Sequence, residues 1–73
     1  MGEAITFVSL DGTEKITLSA AIGPDHKGDI REIYEVNGKV VDDRIAFDGH
    51  DLEIERYLHH RRTDLEAAGF REI

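Results

Sequence analysis

The last third of the chain predicts one long amphipathic helix that carries signals at both ends. Asp48 is suited to cap its start, with Asp51 at the third helical position. Phe47 and Leu52 occupy the two positions that form a hydrophobic staple across such a start. Gly69 fits the left-handed position just past a helix end. Because the chain before Phe47 has the pattern of short strands, this helix is the only element expected to cover a sheet.

The continuity of this helix has one competing interpretation. Thr63–Glu66 has capping-box spacing, so a second short helix can begin there after a kink near Arg62. A single helix is favoured, because Leu58 and Leu65 keep the same phase across the proposed break. At its end, Phe70 is positioned to contact Leu65 across a Schellman-type cap. The last three residues, 71–73, are expected to fray or to add a short extended segment.

Two hairpins are predicted before the helix. The first joins Ala4–Leu10 to Lys15–Ile22 through Asp11 and Gly12, a favoured pair for a two-residue turn with positive φ at both positions. A turn of this length places four large apolar residues on one face as cross-strand pairs. The pairs are Phe7 with Ile16, and Ile5 with Leu18.

The second hairpin joins Ile30–Val36 to Lys39–Phe47 through Asn37 and Gly38, the strongest short hairpin signal in the chain. Two-residue geometry again gathers the large apolar groups on one face. The expected pairs are Val36 with Lys39, Tyr34 with Val41, and Ile30 with Ile45. The turn-rich segment Gly23–Asp29 is expected to link the two hairpins as a loop.

These elements predict an α+β fold in a single small domain, residues 1–73. Two consecutive β-hairpins form a four-stranded antiparallel sheet, and one C-terminal helix packs across one face. The predicted core contains Ile5, Phe7, Ile16, Leu18, Ile30, Tyr34, Val36, Val41, Ile45, Phe47, Ile54, Tyr57, Leu58 and Leu65. The other sheet face carries Val8, Ile33 and Val40, which makes it a candidate surface for a homodimer or another partner.

The predicted register contains one conflict. It sets Glu32 directly opposite Asp43 on the buried face, where like charges destabilise a sheet. A bulge at Asp42 and Asp43, an open rim or an intervening cation can each relieve the repulsion. Arg61 lies within the apolar stripe of the helix. It is expected either to snorkel to solvent, which is the favoured interpretation, or to pair with one of these carboxylates.

Composition restricts the function classes. The chain has 73 residues, of which 40% are hydrophobic and 34% are charged, and it has no cysteine. Disulfides and thiolate chemistry are therefore excluded, and a cytoplasmic setting is expected by default. No targeting segment or membrane-spanning run is evident, so no membrane partner is expected. The net charge of −7 repels phosphate backbones and argues against nucleic acid as the main partner.

The histidines and carboxylates are candidate metal ligands and catalytic groups. His50 with Asp48 and Asp51 has the donors for a divalent cation, but both aspartates are already explained by the helix start. His59 and His60 point about 100° apart on a helix and do not share an ion. No nucleophile motif, phosphate loop or zinc-protease motif occurs. We therefore expect neither an enzyme nor a bound cofactor, and a small enzyme or metal-binding protein is the third choice.

The acidic residues lead to the preferred functional prediction. They are concentrated in the middle of the chain and can form a negative surface that docks on a basic partner protein. The predicted partner-binding residues are Asp25, Asp29, Glu35, Asp42, Asp43, Asp48 and Asp51. In size and charge the chain is similar to nucleic-acid-mimicking inhibitors of phage and plasmid origin. The sequence thus favours a small acidic protein-binding module that acts as an inhibitor or regulator.

The alternative prediction uses the basic part of the helix. Arg56–Arg62 is the one concentration of basic side chains, which suits contact with nucleic acid or an acidic partner. The residues concerned are Arg56, His59, His60 and Arg62. The same residues also serve as a solvated helix face, and no aromatic residues interleave with them to stack on bases.

Overall fold

The computed structural model describes residues 2–73, which form one antiparallel sheet of five strands with a single helix across one face. The strands are β1 Gly2–Val8, β2 Glu14–Ile22, β3 Lys27–Val36, β4 Lys39–His50 and β5 Arg71–Glu72, and the helix is α1 Asp51–Ala67. Their order across the sheet is β4-β3-β2-β1-β5. The predicted α+β fold is confirmed, and the short β5 adds a fifth strand at the edge beside β1.

The first hairpin has the predicted register but a wider turn. Phe7 lies opposite Ile16, and Ile5 lies opposite Leu18. In the turn, however, the positive φ is found at Gly12 (75°) and not at Asp11. The backbone N–H of Gly12 donates to the carbonyl of Ser9 at 3.0 Å. The prediction of positive φ at both central positions is therefore wrong. The strand pairing ends at Val8 and Lys15, so the loop is longer than two residues, but it is lengthened equally on both sides and the register stays as predicted.

The second hairpin has the predicted turn but a different register. Asn37 and Gly38 both have positive φ (52° and 81°), and Val36 pairs with Lys39 as predicted. Two register shifts follow in β4. They change three expected pairs: Tyr34 lies opposite Asp42, Glu32 opposite Arg44, and Ile30 opposite Phe47. The predicted pairs of Tyr34 with Val41 and Ile30 with Ile45 are wrong. The Glu32–Asp43 conflict is relieved by a bulge, one of the expected alternatives, although the extra residue is Val41, next to the predicted Asp42 and Asp43.

The two shifts also correct the predicted core. Each extra residue in β4 reverses the in-and-out alternation of the residues after it. Val41 is the extra residue at the first shift and is 57% exposed. Ile45 lies opposite Arg31 on the face away from the helix and is 55% exposed. Both were expected in the core and neither is buried there; Val36 is only partly buried.

The loop between the two hairpins is shorter than predicted. Residues 23–26 form it, and β3 begins at Lys27 instead of Ile30. The N–H of His26 donates to the carbonyl of Gly23 at 3.1 Å, and the N–H of Gly23 donates to the carbonyl of Lys27 at 2.8 Å. His26 itself has a left-handed backbone (φ 63°). Strands β2 and β3 are thereby joined as a third hairpin.

The helix begins two residues later than predicted. Strand β4 continues through Asp48 to His50, and His50 is the N-cap. The Glu53 side chain accepts a hydrogen bond from the backbone N–H of His50 at 3.0 Å, which satisfies one donor at the helix start. The predicted staple is also wrong, since Leu52 is 69% exposed. Phe47 stacks instead on Tyr57, with ring centroids 4.9 Å apart.

The helix ends as predicted. Gly69 has φ 95°, and the N–H of Phe70 donates to the carbonyl of Leu65 at 2.9 Å. The N–H of Gly69 donates to the carbonyl of Glu66 at 3.1 Å, which completes a Schellman motif. Because α1 is continuous from Asp51 to Ala67, the kinked alternative is wrong.

The core lies between α1 and the helix-facing side of the sheet. Eight predicted members are buried: Ile5, Phe7, Ile16, Leu18, Ile30, Ile54, Leu58 and Leu65. Three more pack against them in partly buried positions: Tyr34, Phe47 and Tyr57. Ala20 and Phe70 join the cluster as well. Tyr34 also donates its hydroxyl to Glu14 Oε1 at 2.6 Å, which raises the tyrosine pKa.

Candidate functional site: an acidic groove

The chain topology brings several acidic segments to one end of the molecule. Strand β1 starts there, β2 ends there, β3 starts there, and β4 passes into α1 there. Four of the seven predicted partner-binding residues lie in these segments, namely Asp25, Asp29, Asp48 and Asp51. Glu3 at the start of β1 and Glu55 in the second turn of α1 lie at the same end and line one groove together with Asp51. We call these six residues the acidic end.

The other three predicted acidic residues lie toward the opposite half of the sheet. Glu35 lies opposite Val40 near the Asn37–Gly38 turn. Asp43 accepts two hydrogen bonds from the Arg31 guanidinium, both at 2.6 Å, and this contact lowers the pKa of Asp43. The predicted acidic surface is therefore divided into two parts.

Arginine neutralises much of the negative charge in that second part. Besides the Arg31–Asp43 pair, Asp42 Oδ2 lies 3.3 Å from Arg44 Nε. Ion pairs of this kind are exposed to solvent and contribute little stability, but they cancel charge locally. Asp42 and Asp43 are thus paired with arginine, whereas Asp25, Asp29 and Asp48 at the acidic end form no ion pair among residues 2–73.

Two carboxylates of the acidic end face one another across the sheet. Asp29 of β3 lies directly opposite Asp48 of β4, on the face away from the helix. Like charges in this position destabilise a strand pair. Among residues 2–73, neither side chain forms an ion pair. The fold thus contains a local repulsion that a cationic partner can relieve.

A groove opens beside these residues, between α1 and the end of β2. Its volume is about 760 Å³. Its apolar lining comes from both elements and from the β2–β3 loop, and consists of Ala20, Ile22, Pro24, Ile54 and Leu58. Its polar lining consists of Glu3, His26, Asp51 and Glu55. The groove is therefore an apolar trough with a predominantly acidic rim.

Asp51 is the most constrained carboxylate of the rim. It accepts hydrogen bonds from the backbone N–H of Leu52 at 2.7 Å and from His26 Nδ1 at 3.1 Å, and His50 Nδ1 lies 3.5 Å away. Burial raises the pKa of Asp51, but the Leu52 and His26 contacts outweigh it, and the net pKa is lowered. The carboxylate is also at the helix start, where the helix dipole favours negative charge.

The histidines are distributed over two regions. His26 and His50 flank Asp51 at the acidic end, whereas His59 and His60 lie on the exposed side of α1 with ring centroids 6.2 Å apart. Within residues 2–73, no group of three or more histidine or carboxylate side chains is arranged to hold a metal ion.

The basic helix segment is partly engaged within the chain. Arg62 Nε lies 2.9 Å from Glu72 Oε1, which ties α1 to β5. Arg56, His59 and His60 are exposed. These three residues of the predicted alternative nucleic-acid site lie on the solvent side of the helix. The fourth, Arg62, is instead paired with Glu72.

Arg61 resolves the choice left open by the sequence. Its Nη2 donates to Glu32 Oε1 at 3.1 Å, so the pairing interpretation is confirmed and pure snorkelling is wrong. Arg44 Nη2 donates to the other oxygen, Glu32 Oε2, at 3.4 Å. The sequence register did not reveal Arg44 as a partner, because the bulge at Val41 brings it opposite Glu32. Both carboxylate oxygens are occupied, so this cluster serves the fold and offers no ligand site.

The sheet face away from the helix carries the apolar residues predicted there. Pairing places Val8, Ile33 and Val40 on this face, and Ile45 joins them. Val40 and Ile45 are more than half exposed.

No helix among the described residues is long and apolar enough to cross a membrane.

Two residues of the site were missed by sequence reasoning. Glu3 lies opposite Ala20 on the helix-facing side, and Glu55 follows the buried Ile54 on the rim of the groove. Only the strand register together with the helix start, two residues later than expected, brings them together.

No protein-family model matches the chain, and no characterised protein or solved structure matches it either.

Proposed function

We propose that this chain is a non-enzymatic protein-binding module, an inhibitor or regulator, that docks its acidic end on a basic surface of a partner protein. One observation carries the proposal: carboxylates of β1 and α1, namely Glu3, Asp51 and Glu55, border an apolar groove at the end of the molecule where the Asp29–Asp48 pair also lies. An interface of this composition provides both electrostatic steering and apolar burial.

The electrostatic repulsion within the acidic end supports a cationic partner. Asp29 and Asp48 face each other, and neither has a counter-ion among residues 2–73. Their repulsion lowers the stability of the free protein. A lysine or arginine from a partner would relieve the repulsion between Asp29 and Asp48 and would also be attracted by both carboxylates. Both effects favour binding. A basic surface built to hold phosphates is one natural match, which is the logic of nucleic-acid-mimicking inhibitors.

The alternative function, nucleic-acid association through Arg56, His59, His60 and Arg62, has weaker support. Arg62 is already engaged by Glu72, and the net charge of −7 repels phosphates over the rest of the surface. A homodimer through Val8, Ile33 and Val40 would leave the groove open, because that face lies away from it, but Asp29 and Asp48 lie on the same face.

The proposal is tested by capture from a cell extract with matched variants. The acidic-end variant is Asp29→Asn/Asp48→Asn. Its control, Asp64→Asn/Glu66→Gln, removes the same charge at exposed positions elsewhere on the surface. We expect mass spectrometry to identify a basic protein that wild type and control retain and the acidic-end variant loses.

The competing function predicts a different result. A nucleic-acid-binding protein would retain a generic DNA or RNA fragment at low salt, with affinity falling steeply as salt rises. Binding of that fragment, lost in Arg56→Gln/His60→Gln and kept in the acidic-end variant, would refute the proposal.

A further inference from the structure

We propose that the groove between α1 and β2 binds a partner segment with one large apolar anchor side chain flanked by lysine or arginine. This inference rests on the proposed function and specifies the chemistry of the partner.

The floor of the groove supplies the anchor site. The accessible apolar surface comes from Ile22 and Pro24, because Ile54, Ala20 and Leu58 are almost fully buried by the protein. Those three buried side chains belong to the main core, so the floor is held by packing and is already formed before binding. Preformed apolar surface binds an apolar side chain without a further ordering cost in the groove.

The size of the groove suits an anchor and its neighbouring backbone. Small-molecule and side-chain sites typically enclose about 300–1,000 Å³, and this groove has about 760 Å³. One leucine or phenylalanine side chain fills only part of that volume. The remaining length is available to the residues on either side of the anchor, which brings them to the rim.

The rim selects the charge of those flanking residues. Glu3 projects from β1, and Asp51 and Glu55 project from α1, so carboxylates border the apolar floor on both sides. Among residues 2–73, neither Glu3 nor Glu55 forms an ion pair. Lysine or arginine next to the anchor meets these carboxylates, whereas an acidic flank meets like charge.

The helix start does not compete for an anionic ligand here. Asp51 and Glu53 already occupy the first turn of α1, and the Glu53 side chain accepts the N–H of His50. The positive end of the helix dipole is therefore compensated from within the chain. The carboxylates of Glu3, Asp51 and Glu55 therefore outnumber the one basic side chain, His26, in the lining of the groove.

The test uses defined peptides and the full chain. The probe is a short lysine-rich peptide with one central phenylalanine, and its matched control has alanine at that position. Isothermal titration calorimetry measures affinity, and amide chemical-shift changes locate the site. We expect the alanine peptide to bind at least about tenfold more weakly, as truncation of an anchor residue does.

The rim is tested with surface variants of the protein. Glu3→Gln/Glu55→Gln should weaken the phenylalanine peptide about tenfold or more, while Asp64→Asn/Glu66→Gln, with the same charge change away from the groove, should leave its affinity within about twofold. Shift changes should centre on Ala20, Ile54 and Leu58. Thermal melting of each variant shows that the fold is retained.

The outcomes separate this inference from the proposed function. Equal affinity of the two peptides, with binding still lost when Asp29 and Asp48 are neutralised, overturns the anchor site and leaves the basic-partner proposal standing. No measurable binding of either peptide counts against both. Equally tight binding of a cationic detergent monomer, or shift changes centred outside the groove, overturns the assignment of a peptide anchor.

Discussion

Arg61 Nη2 donates to Glu32 Oε1 across 3.1 Å and thereby joins the middle of α1 to the core-facing side of β3. Glu32 is only 8% exposed and lies opposite Leu18 within the sheet. Arg44 reaches the second oxygen from β4. A carboxylate on the helix-facing side of a sheet is costly unless it is paired, and two arginines from different elements pair this one. The cluster fixes how the helix sits on the sheet.

Removal of Arg61 is therefore expected to destabilise the fold. Arg61→Met keeps an unbranched side chain against the core but leaves Glu32 with Arg44 alone. We expect a loss of about 1–3 kcal/mol in the free energy of unfolding, below the roughly 3–5 kcal/mol of a fully broken buried pair. Urea unfolding at neutral pH measures it. Arg62→Met, which removes the exposed pair with Glu72, is the control and should cost less than about 1 kcal/mol.

A double-mutant cycle separates pairing from packing. If the cost of Arg61→Met comes from a carboxylate left short of a partner, Glu32→Leu should restore most of the stability in the Arg61→Met background. In the wild-type background Glu32→Leu leaves two arginines without their carboxylate and should destabilise. Additive costs of the two substitutions would contradict a functional ion pair between these residues.

The sequence predicted the fold wherever local signals agreed with burial. The first hairpin keeps its register because Phe7 and Ile16 are both needed in the core, although the turn is wider than expected. The Gly69 helix end was likewise predictable, since a left-handed glycine and an apolar contact mark it together. Such features depend on neighbours in sequence or on one pairing step.

The register errors come from two single extra residues in β4. The Glu32–Asp43 conflict indicated a bulge near the first of them, but only the pairing of Arg44 with Glu32 shows that Val41 is the added residue. Asp48 is a good N-cap residue, but continued pairing of β4 with β3 outweighs that preference. The acidic end was predicted only in part. Asp25, Asp29, Asp48 and Asp51 belong to a concentration of acidic residues that the sequence shows. Glu3 and Glu55 reach the same end only in the folded structure.

Leu58 provides a test of the apolar face of the helix. It is buried between α1 and the sheet and also contributes to the groove floor. We expect Leu58→Ala to cost about 2–5 kcal/mol, the range for truncation of a buried leucine. Leu52→Ala, at a position 69% exposed, is the matched control and should stay within about 0.5 kcal/mol. Equal melting temperatures for the two variants would contradict the described packing.

Asp11 gives a pH-dependent prediction. Its carboxylate accepts hydrogen bonds from Ser9 Oγ at 2.7 Å and from Thr13 Oγ1 and N at 2.9 and 3.1 Å, and these bonds lower its pKa, with Ser9 the largest contributor. A carboxyl with a lowered pKa in the folded state adds stability above its unfolded pKa, and this contribution is lost as pH falls through the folded value. Carboxyl-carbon NMR titration should give a midpoint below that of the unfolded chain.

Two variants check the cause of the Asp11 shift. Ser9→Ala removes the strongest hydrogen bond and should raise the Asp11 pKa most, while Thr13→Val keeps the backbone donor and should raise it less. An unchanged midpoint in Ser9→Ala would show that the turn is held in another way. In acid unfolding, Ser9→Ala should lose less stability than wild type as pH falls through the range in which Asp11 titrates.

Gly28 tests the close approach of β2 and β3 at the acidic end. A Cβ added there would overlap the carbonyl oxygen of Ala21 and lie 2.8 Å from the Cα of Ile22, so backbone must move. We expect Gly28→Ala to cost at least about 1–3 kcal/mol, as overpacking typically does. Gly23→Ala is the control, because its nearest neighbour is the movable Asp25 side chain at 3.2 Å. The control should change stability by less than about 1 kcal/mol. If the two variants unfold at the same urea concentration, β2 and β3 do not approach as closely as described.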